Sequence, residues 1–419
     1  MGKVLTQSGD VVYFRSMNAR SPWYGNADAS EIERWSAVAT EVAGKVAVDA
    51  LERDQGSIPP FTAMQILRDS GLVNLLVPVE LGGAGGHWET AFLMTRIIAR
   101  TDASVAQLLG YHYVNQACVV FYGPDVDKQT QWLRRSAENN WIWSDAFNPV
   151  SPDLDIVAEG EGYRLTGMKR FATGSQVSDI VICGGIAQGG ELDGQMIVFA
   201  LDSHRAGMEH LDDWNHLGQR SSDSGSVKFN DVHIALDDIF GTDSGEPFSS
   251  VVTPGVQLLF GNIYLGIAEG ALELAKTLTL ARPNSWFLSG VDRYSEDPIT
   301  HRVFGELVAQ TVAVEALADR VNRQFDDVVA LSGATTDEDR ARIEIAVAQL
   351  KVISSDVGVE VSNRVFEVAG ASATKLSYGL DVYWRNIRTH SLHDPVDYKK
   401  IEVGAHYLTG AIQPISLYT

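Results

Sequence analysis

Asp155-Ile156-Val157-Ala158-Glu159-Gly160-Glu161-Gly162-Tyr163-Arg164-Leu165-Thr166 interrupts a chain whose periodicity is otherwise helical. Two short runs, Asp155 to Ala158 and Tyr163 to Thr166, flank Glu159-Gly160-Glu161-Gly162, the pattern of a β-hairpin. Strand-like runs continue downstream at Asp179 to Cys183, Met196 to Asp202 and Ser226 to Ile234. In the last, Val227, Phe229 and Val232 are separated by polar residues, as a half-buried antiparallel strand requires. Residues 142–245 therefore read as a middle antiparallel β domain.

Upstream, residues 29–141 read as an N-terminal helical domain. Ser30-x-x-Glu33 is a capping-box pattern, and Ile32, Trp35, Val38, Val42 and Val46 then recur at helical spacing. A helix over Phe61 to Ser70 stops at Gly71, and two more are expected over Trp88 to Thr101 and Ser104 to Tyr122. Between them, Leu75 to Gly86 ends in glycines without a helix-opening phosphate signature, so it reads as a tight turn. Residues 1–28 form an arm whose Tyr13, Phe14, Trp23 and Tyr24 call for a packing surface, such as a neighbouring subunit.

Downstream, residues 246–419 read as a helical bundle. Its long amphipathic helices are expected over Val256 to Leu280, Ile299 to Leu331 and Glu338 to Val368, the third opened by Thr335-x-x-Glu338. Shorter ones are expected over Val382 to His390 and Lys399 to Thr409. Helices, then strands, then helices imply one composite α+β fold.

Composition narrows the function. With 33 basic and 54 acidic residues among 419, the net charge of -21 argues against nucleic acid or anionic membrane partners. Apolar runs such as Leu72 to Val79 fall short of the roughly 20 residues that span a bilayer. The N-terminus lacks a signal-peptide order, and two distant cysteines, Cys118 and Cys183, suit a reducing cytoplasm. No Cys/His spacing suggests a metal.

The densest chemistry lies in Trp384-Arg385-Asn386-Ile387-Arg388-Thr389-His390-Ser391-Leu392-His393-Asp394-Pro395. His390 and His393 share one face of a helix end, with a proline fixing the chain beyond. The run reads either as an ion-paired helix terminus or as a proton-exchange site near neutral pH.

Four segments, in order, resemble the acyl-CoA dehydrogenase superfamily: Val77-Pro78-Val79-Glu80-Leu81-Gly82-Gly83, Gly167 to Gly174, Leu217 to Val232, and Tyr383 to Arg388. The resemblance implies a flavin held between the β domain and the bundle, in a homotetramer. A dehydrogenase of this class needs a glutamate base after the last segment or at the start of the first bundle helix. Here those places hold His393-Asp394 and Val256-Gln257. The run Arg388 to Pro395, with Gly110-Tyr111-His112, Asn139-Asn140-Trp141, Asp213-Trp214 and Asp223 to Ser226, is instead similar to flavin-dependent monooxygenases on this fold. The dibenzothiophene monooxygenase group and indole-oxidising enzymes are the nearest in pattern.

What that resemblance implies is a two-component enzyme in which reduced flavin (FADH2 or FMNH2) and O2 form a C4a-hydroperoxide that oxygenates an aromatic heterocycle. A separate NAD(P)H:flavin reductase would supply the electrons, since no dinucleotide fingerprint is visible. His393 is the implied peroxide-stabilising proton donor and His390 its flavin-side partner. Thr173 would meet flavin N5 and Phe171 lie against the ring. Tyr111 and Trp214 would line the substrate pocket. Arg282 would reach the flavin phosphate across a subunit interface, near Gly370 and Ser372, where Ser372 stands in place of a second arginine. Two departures are Gln107, where the group carries histidine, and Asp145, where it carries asparagine. The alternatives are an acyl-CoA dehydrogenase or oxidase, and an N-oxygenase of an amine.

Overall fold

The computed structural model describes residues 4–5, 11–12, 21–148, 154–243 and 245–416. Two short strands, β1 (Val4–Leu5) and β2 (Val11–Val12), pair antiparallel near the start. Tyr13 and Phe14 of the expected arm lie outside the described residues, whereas Trp23 is buried and Tyr24 exposed. Trp23 packs edge-on against Trp88 with ring centroids 5.2 Å apart, so this part of the arm is held by its own chain.

Five helices follow: α1 (Ala29–Gly56), α2 (Phe61–Ser70), α3 (Trp88–Ala99), α4 (Ala103–Phe121) and α5 (Val126–Asn139). Helix α1 is capped two residues earlier than Ser30 predicts, because Asp28 accepts the Glu31 N–H and Ser30 only bonds to that cap. It buries Trp35, Ala39, Val42 and Val46. Gly71, at φ 79°, ends α2 in the left-handed conformation a side chain would resist. Helix α5 is mostly polar, but it buries a helical stripe of Gln129, Trp132, Leu133, Ser136 and Ala137.

The sheet comprises β3 (Trp143–Ala146), β4 (Leu154–Glu159), β5 (Gly162–Lys169), β6 (Ile180–Gln188), β7 (Met196–Asp202), β8 (Met208–His210), β9 (Val227–Ile234) and β10 (Ile239–Thr242). The hairpin read from sequence is β4–β5, paired antiparallel from Leu154–Gly167 to Glu159–Gly162. Spatial order is β10-β7-β6-β4-β5-β9-β8. The sheet is mixed rather than wholly antiparallel, since β3 and β4 both run parallel to β6 along one of its edges. Sequence alternation reports which face a residue takes, not strand direction, so this could not be read in advance. In β7, Val198 and Ala200 join the helical core while Ile197, Phe199 and Leu201 join a separate core on the other face.

The bundle contains α6 (Pro247–Ser250), α7 (Val252–Leu280), α8 (Pro298–Leu331), α9 (Asp337–Ala369), α10 (Leu380–His390) and α11 (Val396–Thr409). Thr336 and Asp339 form the capping box of α9, one residue beyond the expected Thr335–Glu338 pair. Helix α7 touches α3, α4, α8, α9 and α10 and is the axis of the fold. With α6 it is long and apolar enough to cross a membrane, but 94% of that window is buried inside the protein, as suits a core helix. A Cβ on Gly110 of α4 would lie 2.1 Å from Leu259 of α7; its absence lets the two helices close together. That approach sets Tyr111 over Phe260.

Candidate active site

Two walls meet at the Tyr111–Phe260 contact, where the rings stack with centroids 6.1 Å apart. The bundle wall is built from α7, α9, α10 and the turn after α10. Phe260 lies 4.6 Å from the His390 ring and 4.8 Å from the His393 ring, so it separates and seats both imidazoles. His390 is buried: its Nδ1 and its carbonyl each lie 3.0 Å from the Tyr264 hydroxyl, and its Nε2 has no protein partner. Burial pushes its pKa well below the ordinary imidazole value, so it is neutral. His393 is 40% exposed, and its Nδ1 lies 3.3 Å from Asp394 Oδ1.

Asp394 is not a free carboxylate. Its Oδ1 is ion-paired with Lys351 Nζ, and the same ammonium donates to Gln257 Oε1. Burial works to raise the Asp394 pKa, but the bonds from His393 and Lys351 outweigh it and hold the carboxyl well below its usual range. Burial lowers Lys351 to about 8, against the pull of Asp394, so the pair is ionised at neutral pH. The two positions that sequence singled out for a dehydrogenase base, 257 and 394, thus converge on one buried ammonium. Neither side chain can abstract a proton from a substrate carbon there.

The opposite wall comes from α4, β3 and two loops. Gln107, Tyr111 and Asn115 lie at i, i+4 and i+8 of α4, on one stripe. The Gln107 amide is 3.5 Å from Thr173 Oγ1, and its Oε1 is buried without a partner. Thr173 Oγ1 lies 3.0 Å from Ser224 Oγ, which in turn is 2.7 Å from Ser222 Oγ. Asn115 donates to Asp145 Oδ2 at 3.1 Å. Asp145 sits on β3 opposite Ile182 of β6 and is only partly exposed. Burial raises its pKa to about 7, against the bonds from Asn115 and the Phe147 amide.

An aromatic group forms the rim. Phe171 is 55% exposed and adopts φ 61°, a conformation costly for a bulky side chain. Its ring stands edge-on to Trp214 at 6.2 Å and to His216 at 6.1 Å. Trp214 and His216 stack at 3.7 Å, and the Trp214 indole N–H donates to the Gln219 carbonyl at 2.8 Å. The loop carrying them is tied to α10 by Gln219 N donating to Asn386 Oδ1 at 2.7 Å.

Arg282, Gly370 and Ser372 do not join this group within one chain. Arg282 lies 22 residues beyond Phe260, or roughly 33 Å along the α7 direction at 1.5 Å per residue. Its guanidinium stacks on Tyr294 at 3.7 Å and packs against Gly370, while Ser372 is exposed. Lys351, Asn115, His216 and Ser222 escaped the sequence reading, whereas Gln257 and Ser224 were quoted there without a role. Lys351 left a legible signal, a charge in the apolar stripe of α9 beside Val347 and Leu350; the other three left none. Among the described residues no His/Cys/Asp/Glu cluster suits a metal, and Cys118 and Cys183 are free and buried.

The fold and this constellation define a flavoprotein oxidoreductase: an aromatic rim open to a planar ring, unpartnered buried polar atoms on Gln107 and His390, and an imidazole where a base would stand. Residues 31–140 match the family model described as acyl-CoA dehydrogenase, N-terminal domain, and residues 258–398 match the C-terminal domain. A probable FMNH2-dependent monooxygenase of Pseudomonas putida, SfnC, is 36% identical over 388 residues, covering 91% of this chain and 97% of that protein. Methanesulfinate monooxygenase MsuC of Pseudomonas fluorescens superposes with a TM-score of 0.88 at 32% identity, over 92% of this chain and 99% of that one. Dibenzothiophene monooxygenase TdsC of Paenibacillus sp. A11-2, solved with FMN and indole, gives 0.88 and 32% over 92% and 100%. The chain belongs to the flavin-dependent monooxygenases of the acyl-CoA dehydrogenase family.

Proposed function

We propose that the protein oxygenates a neutral aromatic heterocycle, at carbon as in an indole or at sulfur as in a thiophene, using FMNH2 and O2. One observation carries the reading: Asp394 and Gln257 are both bound to Lys351, while the neighbouring imidazole of His393 is accessible. When bound, the reduced flavin would supply activated oxygen. Phe171, Trp214 and His216 would hold flat ligands by stacking, and Thr173 and Gln107 would offer hydrogen bonds at the ring edge. His393 would deliver the proton as the oxygen atom is transferred. The walls around Tyr111 and Phe260 would keep water out.

Asp145 bears on the substrate. At and above pH 7 an increasing share of it is anionic, which disfavours an anion such as a sulfinate beside it. Reduced flavin would come from a separate NAD(P)H:flavin reductase, in the cytoplasm. We assign a homotetramer on two grounds. Arg282 and Ser372 stand far from His393 in their own chain and would serve a neighbour's flavin. The apolar Tyr398, Ile401, Tyr407 and Leu408 of α11 are exposed in the single chain.

The test supplies chemically reduced FMN and O2 with indole, dibenzothiophene or methanesulfinate in turn. Oxygenated heterocycle and unchanged sulfinate are expected. Bleaching of bound oxidised flavin by an acyl-CoA, without O2, would overturn the reading in favour of a dehydrogenase.

A further inference from the structure

His393 sits on a turn, between the end of α10 at His390 and the start of α11 at Val396. A turn alone holds an imidazole loosely, yet proton transfer needs one ring nitrogen aimed and the other tied. The tie is Asp394 Oδ1, 3.3 Å from His393 Nδ1. That carboxylate is anchored in turn by Lys351 Nζ, which is wholly buried, and Lys351 is fixed by Gln257 from α7 and by the face of Phe260 at 4.9 Å. Lys351 of α9 and His393 of the turn therefore converge on one carboxylate oxygen, and α7 steadies the ammonium through Gln257 and Phe260. The ion pair is an expensive way to fill that space: a buried Lys–Asp pair is commonly no more stable than an apolar pair of the same volume. What an apolar pair would lack is the acceptor for His393.

We propose that Asp394 is a positioning residue, anchored by Lys351 and Gln257, which holds His393 as the Nδ1–H tautomer with Nε2 on the accessible side of the ring. Held this way, the imidazole gains and loses its exchangeable proton at Nε2 alone, while Nδ1 keeps its own. The charged and titratable groups facing this unit are few. His390 lies parallel to His393 at 6.0 Å across Phe260. On the far side of Lys351, Glu344 of α9 and Lys399 of α11 act on its charge, themselves joined at 2.6 Å, with Glu402 bound to Lys399 at 3.0 Å. None of these supplies the His393 Nδ1 with an alternative acceptor in the bonds described.

The proposal rests on His393 as proton donor, and the test separates the two. Histidine-selective 15N labelling reports the tautomer of His393, assigned by the signal lost in H393Q. In the wild-type chain the Nδ1–H form is expected. The paired substitution D394L with K351M removes both charges without leaving either one stranded. It is expected to fold, to bind FMN within about two-fold of wild type, and to move His393 toward the Nε2–H form. Its ratio of oxygenated product to H2O2 should fall about ten-fold, the scale of losing a supporting shell. An unchanged tautomer and ratio in the folded double variant would overturn the positioning role. Should that variant not fold, D394N is expected to shift both readouts in the same direction, and no shift there overturns the role equally. If H393Q itself keeps the wild-type ratio, the proton-donor reading fails while the tautomer measurement still decides what Asp394 does.

Discussion

Asp394 and Asp145 stand on opposite sides of the Tyr111–Phe260 contact, and similar burial leaves them in different charge states. Asp394 faces an ammonium and an imidazole, so it remains ionised far below neutral pH. Asp145 accepts from an amide side chain and a backbone N–H, beside the buried thiols of Cys118 and Cys183 and with no cation paired to it in the bonds described, and burial raises its pKa to about 7. Burial by itself does not make a carboxylate a base or an acid; the presence of a buried cation decides. The bundle wall thus carries fixed charge behind a movable proton on His393. The α4–β3 wall carries a group whose charge follows pH.

The sharpest way to break that contrast is to remove the proton-carrying group from the bundle wall. His393→Ala is expected to lower the rate of product formation by about 10²- to 10³-fold, the scale of losing a general acid, while O2 consumption persists as H2O2. Steady-state product and peroxide assays measure both. A smaller effect is expected at the rim, which belongs to neither carboxylate. Phe171→Gly relieves φ 61° and should leave the melting temperature unchanged or slightly higher. It should also weaken flavin or substrate binding about ten-fold through the lost stacking surface. Titration by flavin fluorescence decides, and tighter binding would show that the strained ring serves no ligand.

The smallest expected effect sharpens the other side of the comparison. Because folding raises the Asp145 pKa, its wild-type side chain destabilises the fold as pH rises from about 4 through about 7. Asp145→Asn should therefore gain stability relative to wild type above pH 7, on the order of 2 kcal/mol after allowing for its partial solvent access, and gain none below pH 4. Denaturant melts at several pH values check this. A gain independent of pH would mean that the carboxylate is not desolvated. For Asp394 the sign is opposite: its ionised form is favoured by the fold, so its contribution is full above pH 4 and fades only in strong acid.

Much of the fold was legible because its long helices announce themselves. The stops at Gly71 and Ala281, and the stretches Phe61–Ser70 and Met196–Asp202, fall where periodicity puts them. Caps slipped by two residues at Asp28 and by one at Thr336, because the Ser30 and Thr335 hydroxyls bond instead to Asp28 and to the Ser332 carbonyl. Helix α5 was missed although Gln129, Trp132, Leu133, Ser136 and Ala137 are buried at helical spacing, because two of those five are polar and the stripe is not an apolar one. Strand β3 was invisible because four residues carry no alternation worth reading. Of the candidate site, His390 and His393 stand out in one short run, while Tyr111, Phe171, Trp214, Thr173 and Gln107 could be singled out only through the family resemblance. Their couplings could not. The Lys351–Asp394 pair spans 43 residues, and no pattern shorter than the tertiary fold brings α9 to the turn after α10.

The most direct measurement is a single turnover with 18O2: wild-type protein loaded with FMNH2, mixed with indole, and compared with His393→Gln. Wild type is predicted to place one labelled oxygen atom in the product per flavin oxidised, and the variant to release the label as H2O2. Equal incorporation by both proteins, or unlabelled product from wild type, would contradict the assignment of oxygen transfer to a site served by His393.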